Sequence, residues 1–140
     1  MPSGTFVGLT QLQTLDLRSN GIGSISSGAF ARLTRLQRLP LGGNHIAFIP
    51  PGAFAELSEL QMLFLSDNDI DSIPYGTIAG LTALQTLDLS SISTLACIPI
   101  QEVRRLQMGQ GAPPLTIYME NTTAASSKAD RLGQVTRHAQ

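Results

Sequence analysis

An internal period of twenty-four residues limits what this chain can fold into more than any other feature. The tract LQTLDLRSNGIGSISSGAFARLTR (12–35) is followed by LQRLPLGGNHIAFIPPGAFAELSE (36–59) and by LQMLFLSDNDIDSIPYGTIAGLTA (60–83). Leucine recurs as Leu12, Leu36 and Leu60, as Leu15, Leu39 and Leu63, and as Leu17, Leu41 and Leu65. Isoleucine recurs as Ile22, Ile46 and Ile70 and as Ile25, Ile49 and Ile73, and asparagine as Asn20, Asn44 and Asn68. A unit this short cannot bury its own apolar face. Copies must stack, and each then touches chiefly its neighbours.

Within each unit the pattern x-L-x-L-x alternates with period two, which predicts short strands at 14–18, 38–42, 62–66 and 86–90. Their leucines point inward. Stacking pairs them into a parallel sheet on the inner, concave face. The opposite half, G-A-F-x-x-L, places Phe30, Phe54 and Ile78 on the convex side, where Pro50, Pro51 and Pro74 argue against long helices. The expected fold is an α/β solenoid with 3₁₀ or irregular segments on its convex face. Asparagine at a fixed offset fits a buried turn, because a carboxamide both donates to and accepts from backbone groups that have lost water.

The boundaries follow from the register. Residues 1–11 match the second half of a unit and read as a truncated sequence, with Phe6 and Leu9 placed to cover the first full repeat. Four repeats occupy 12–35, 36–59, 60–83 and 84–108. The fourth departs from the pattern: Ile92 takes the asparagine position, and aligning Ile98-Pro99 with Ile73-Pro74 needs one inserted residue. A changed backbone path is expected at 91–97. Residues 107–114 read as a Gly/Pro loop. Residues 109–121 form a terminal cap, with a last strand at 115–119. The polar stretch 122–140 reads as a short helix over 128–138 or as a disordered tail.

Several function classes are excluded or disfavoured. A formal charge of −1 predicts no bulk attraction to nucleic acid. No run of eighteen apolar residues exists to insert into a membrane, and the start lacks the features of a signal peptide. Neither GxSxG, HExxH, a P-loop nor GxGxxG occurs, so the chain reads as a non-enzyme without a cofactor. His45 and His138 read as solvated. Cys97, the single cysteine, aligns with Ser72 and reads as a buried structural thiol. Asp67-Asn68-Asp69-Ile70-Asp71 has the look of a calcium loop, but Ser72 stands where glycine is needed and Ile78 where glutamate is needed, so no metal is expected. Asn121-Thr122-Thr123 is a glycosylation acceptor in a secreted chain.

The outward strand positions do not hold the core, so they are free to serve binding. Their columns read Thr14, Arg38, Met62, Thr86; then Asp16, Pro40, Phe64, Asp88; then Arg18, Gly42, Ser66, Ser90. The expected ligand-binding set is Asp16, Arg18, Arg38, Met62, Phe64, Asp67, Asp69 and Asp88. Asp16 and Asp88 should stand roughly 14 Å apart, three strand spacings. Such an arrangement suits a ligand with an apolar centre and cationic groups. The unpaired first strand predicts a monomer or a weak dimer.

Residues 4–106 resemble the typical-type leucine-rich repeats of extracellular recognition proteins. The tracts LTQLQTLDLRSNGI and IPPGAFAELSELQMLFLSDNDI are similar to those of the variable lymphocyte receptors of jawless vertebrates and related chordate proteins; Toll-like receptor and Slit-type repeats are similar too. The resemblance implies an extracellular or cell-surface location. It also implies a macromolecular ligand on the concave sheet: a bacterial surface component in innate defence, or a protein. Members of that family carry cysteine-rich caps at both ends, and this sequence has neither. The competing reading is a structural, adhesion or intracellular scaffold module that docks a host protein.

Overall fold

Alternating leucines need a partner strand on each side, and the stack supplies it. The computed structural model describes residues 1–108, 111 and 114–122. Four short strands, β1 (Arg38–Pro40), β2 (Met62–Phe64), β3 (Thr86–Asp88) and β4 (Thr116–Tyr118), form one parallel sheet in chain order. The register is one-to-one, so Leu39, Leu63, Leu87 and Ile117 lie in a single row. That row is buried, as are Leu41, Leu65 and Leu89.

The strands are shorter than the five-residue segments expected, because regular pairing gives way to single bonds as the chain bends into its turn. The Leu41 and Gly43 N–H groups still donate to Phe64 and Ser66 carbonyls of the next coil. In the first coil, 14–18 forms no regular strand, only a bridge between Thr14 and Arg38. Its Leu15, Leu17 and Ser19 N–H groups nevertheless donate to Arg38, Pro40 and Gly42 carbonyls at 3.1, 2.9 and 3.1 Å. This coil has a stacked neighbour strand on one side, so Leu12, Leu15 and Leu17 stay half-buried. Phe6 stacks on Phe30, but Leu9 is 49% exposed and is not packed against the core, against expectation.

Behind the sheet, Phe6, Phe30 and Phe54 stack in line, with ring centroids 6.2 and 5.7 Å apart. Ile78 continues the buried column. The back of each early coil is a chain of single turns, such as Ala31 N–H to Gly28 and Leu33 N–H to Phe30 carbonyls. Among the described residues none forms a regular 3₁₀ helix. The turns need a left-handed residue, which Gly28, Gly52 and Gly76 supply at φ of 74°, 74° and 88°.

The fourth coil lacks that glycine. The Ser72–Cys97 bridge confirms the one-residue insertion and puts Gln101 at the corresponding place. Without a left-handed break the chain runs on as α1 (Ile100–Met108) behind Pro99, a residue favoured at helix starts. This helix was not expected from the sequence, and it takes up Gln107 and Met108, two residues of the expected loop. The Glu102 carboxylate is buried and accepts from the Gly76 and Ile78 N–H groups of the coil before. Ile92 is fully buried, yet Ser91 keeps the left-handed φ of 57° seen at Ser19 (53°) and Asp67 (52°). The expected change of path therefore begins after residue 91, and the sheet runs on to β4. The helix or tail expected at 122–140 lies, but for Thr122, outside the described residues.

The inner coils are joined by two asparagines. Asn68 Nδ2 donates to the carbonyls of Leu41 in the preceding coil and Leu65 in its own, at 3.1 and 2.9 Å, while Oδ1 accepts from Ile46 N–H at 3.0 Å. Asn44 repeats this toward the first coil. Asn20 is exposed, and its carboxamide donates to Arg18 O within its own turn. Asn68→Ala should therefore lower unfolding free energy by about 1–3 kcal/mol, and Asn20→Ala by less than about 0.5 kcal/mol, in urea denaturation. Equal losses at the two positions would contradict the ladder.

Candidate functional site

The parallel register that buries one set of side chains turns the alternate set outward together. Arg38, Met62, Thr86 and Thr116 share one row, and Pro40, Phe64, Asp88 and Tyr118 the next. The pairing of the first coil adds Thr14 and Asp16 to these rows. Six of the eight expected binding residues, Asp16, Arg18, Arg38, Met62, Phe64 and Asp88, thus fall on one continuous face. Thr116 and Tyr118 extend the face beyond that set, as the alternation in LTIYM marks them as outward.

The centre of the face is aromatic and cationic. The Arg38 guanidinium lies over the Phe64 ring, 5.2 Å from its centroid, within the range of a cation–π contact. Phe64 and Met62 are half-buried. Pro40 and Gly42, expected to point into solvent, are buried. A Cβ on Gly42 would lie 3.1 Å from Ser66 Oγ, so the next coil crowds that position.

The two carboxylates of the second row are not equivalent. Asp16 is held by Arg18: Nε lies 3.0 and 3.1 Å from the two carboxylate oxygens and Nη2 lies 2.6 Å from Oδ2. The side-chain bonds from Arg18, and then its backbone N–H, lower the Asp16 pKa from 3.8 to about 2. Both side chains remain about half exposed or more, 64% and 46%, so water screens the pair and its effect on stability is small. The expected pair of open carboxylates is therefore one neutralised and one engaged within its own coil: Asp88 accepts from Ser90 N–H and Oγ–H at 2.9 and 2.6 Å.

Asp67 and Asp69 lie apart from the strands, on the turn at the edge of the sheet. Both are exposed, and Asp69 is 3.5 Å from His45 Nδ1. Among the described residues, no group of three or more His, Cys, Asp or Glu is placed to hold a metal ion. No helix of the described residues is long and apolar enough to cross a membrane. Asn121 is exposed with φ of 57°, while its neighbour Thr122 takes the ladder position and donates Oγ–H to Met119 O at 3.0 Å. Cys97 is exposed rather than buried, because the inserted residue shifts it onto the flank of the stack.

Residues 1–46 and 34–91 match the family model described as leucine rich repeat. No curated protein matches the chain.

The Asp16 carboxyl should titrate near pH 2 in ¹³C-detected NMR and move back toward 3.8 in Arg18→Gln. Its folded pKa is depressed, so the small stabilisation is present above pH 3.8 and is lost as pH falls through about 2. An unchanged Asp16 titration in the variant would show that the ion pair does not form in solution.

Proposed function

Since the chain belongs to the leucine-rich repeat family, whose domains generally mediate protein–ligand interaction, we propose that it is a non-catalytic recognition module that binds a macromolecular ligand through its outward sheet face. One observation carries this reading: rows of outward side chains in register across the sheet, interrupted only by buried Pro40 and Gly42, with a stacked Arg38–Phe64 pair near their centre. Half-buried aromatics and arginines are the residue types that dominate binding energy at interfaces. Arg18 with Asp16 at one end, and Asp88 on the far side of Phe64, supply polar groups around that centre.

The charges make the proposed ligand a mixed one, with an apolar centre seated on Phe64 and Met62. Cationic groups on it would meet Asp88, Asp67 and Asp69, and an acidic group would meet Arg38. The resemblance to variable lymphocyte receptors supports a microbial surface component as ligand, a cell-surface or extracellular location and an innate-defence role. In a secreted chain Asn121 would carry the glycan. The rival is docking of a host protein by a scaffold or adhesion module, and it would use the same face.

The test is a binding screen of the purified protein against bacteria, glycans and host proteins. For any ligand found, Phe64→Ala should raise Kd at least about tenfold. Asp88→Asn with Asp67→Asn should weaken binding and its salt dependence together, while the unfolding midpoint changes little. Full affinity in the Phe64 variant would move the site away from the sheet. Capture of a host protein with no microbial ligand would favour the rival.

A further inference from the structure

The fourth coil leaves a mark on the flank that the sheet face does not use. Its one-residue insertion brings Cys97 opposite Ser72, and α1 then replaces the left-handed turn of the earlier coils. Between the third and fourth coils a groove of about 360 Å³ opens, lined by Ile73, Pro74, Tyr75, Cys97, Ile98 and Pro99, with Ser72 and Gln101 as its polar members. Ile73 and Ile98 are buried and form its floor. Tyr75 is 60% exposed and Cys97 is exposed, so apolar surface faces water here without serving the core. The two prolines have no N–H to offer, which keeps the walls apolar.

Among the described residues none that lines the groove is charged, but two charged groups bond to the lining, Arg105 to Tyr75 and Asp71 to Ser72. Arg105, one turn along α1 from Glu102, donates Nη1–H to the Tyr75 hydroxyl at 3.2 Å. That partner is neutral, so the contact orients the guanidinium without balancing its charge. Glu102, the acidic residue of α1, is turned inward onto the Gly76 and Ile78 N–H groups and contributes nothing to the rim. The same two bonds tie α1 to the coil that carries Tyr75, so floor and rim form one preorganised unit.

We propose that this groove, set between the third and fourth coils, docks an extended segment of a partner protein that presents an apolar side chain beside a carboxylate. Arg105 selects a carboxylate at the Tyr75 end, through the planar fork that makes arginine suited to it, and Asp71 disfavours one at the Ser72 end. The volume lies at the low end of ligand sites, about 300–1,000 Å³, and takes one or two apolar side chains. The groove is open rather than enclosed, which suits a chain laid across it. This surface is separate from the sheet face, so the two can be occupied together.

The test titrates ¹⁵N-labelled full chain, under reducing conditions, with three blocked dipeptides: acetyl-Leu-Asp-amide, acetyl-Leu-Asn-amide and acetyl-Leu-Lys-amide. The aspartyl peptide should shift the amides of Ser72, Ile73, Tyr75 and Ile98. It should bind about twofold to fivefold more tightly than the asparaginyl peptide, as expected for an exposed charge pair. Arg105→Gln should abolish that difference and Arg105→Lys should keep part of it, with the unfolding midpoint unchanged because the side chain is exposed. Tyr75→Ser should weaken all three peptides. Equal affinities for the aspartyl and lysyl peptides would overturn the proposal, as would shifts confined to the sheet face. Shifts of the groove amides that follow protein concentration without peptide would instead assign it to a second copy of this chain, and would also overturn it.

Discussion

A coil of twenty-four residues cannot satisfy its own backbone. Its turns are buried against the next coil, where each N–H and C=O loses water and must find another partner. Asn44 and Asn68 solve this by bonding backward and inward at once, with one carboxamide serving three or more backbone groups. The bonds run between coils as much as within them, so no coil is a stable object alone. Strand register, burial of the leucine rows and the phenylalanine stack all depend on this pairing. Where the pairing is one-sided, in the first coil, the leucines are half-buried and the strand is reduced to a bridge.

The ladder fades toward the C-terminal coils, and its fading shows what the asparagine does. Ile92 fills the same place with apolar volume and no hydrogen bonds. Thr122 fills it with one hydroxyl that reaches only its own turn, at Met119. Both groups can accept, but a hydroxyl, on a shorter arm, offers one donor where a carboxamide offers two. The turn survives both replacements, because left-handed Ser91 and Asn121 hold the backbone in the same bend as Ser19 and Asp67. Bend and bonding are thus separable: the first is local, the second belongs to the stack.

Placing all structural work on the inward residues sets the chemistry of the outward ones. The sheet face is an aromatic–cationic centre with a self-neutralised pair, Asp16 and Arg18, at one end and Asp88, then Tyr118, toward the other. The flank groove has a different origin. It exists because the fourth coil lost a glycine and gained a residue, so that helix replaced turn and the neighbouring coils ceased to nest.

The period, the leucine rows, the parallel sheet and the outward columns were legible in the residues, because stacking copies of one short unit admits few solutions. Even Cys97 could be aligned with Ser72 from Ile-Pro spacing alone. What the residues did not disclose were properties that need two coils at once. Pro40 stands in an outward position, yet it is buried once the next coil closes over it. Asp16 is a different case, within one coil: Arg18, two residues on, curls back across its carboxylate. Helix α1 follows from a missing glycine, a local signal, but its place is set by the buried Glu102 reaching the Gly76 N–H, a contact between residues twenty-six apart. Local pattern determined what each coil is. Which side chains meet across coils, and so where charge is left over for a ligand, was decided only when the coils packed, because those contacts depend on distances that no single repeat contains.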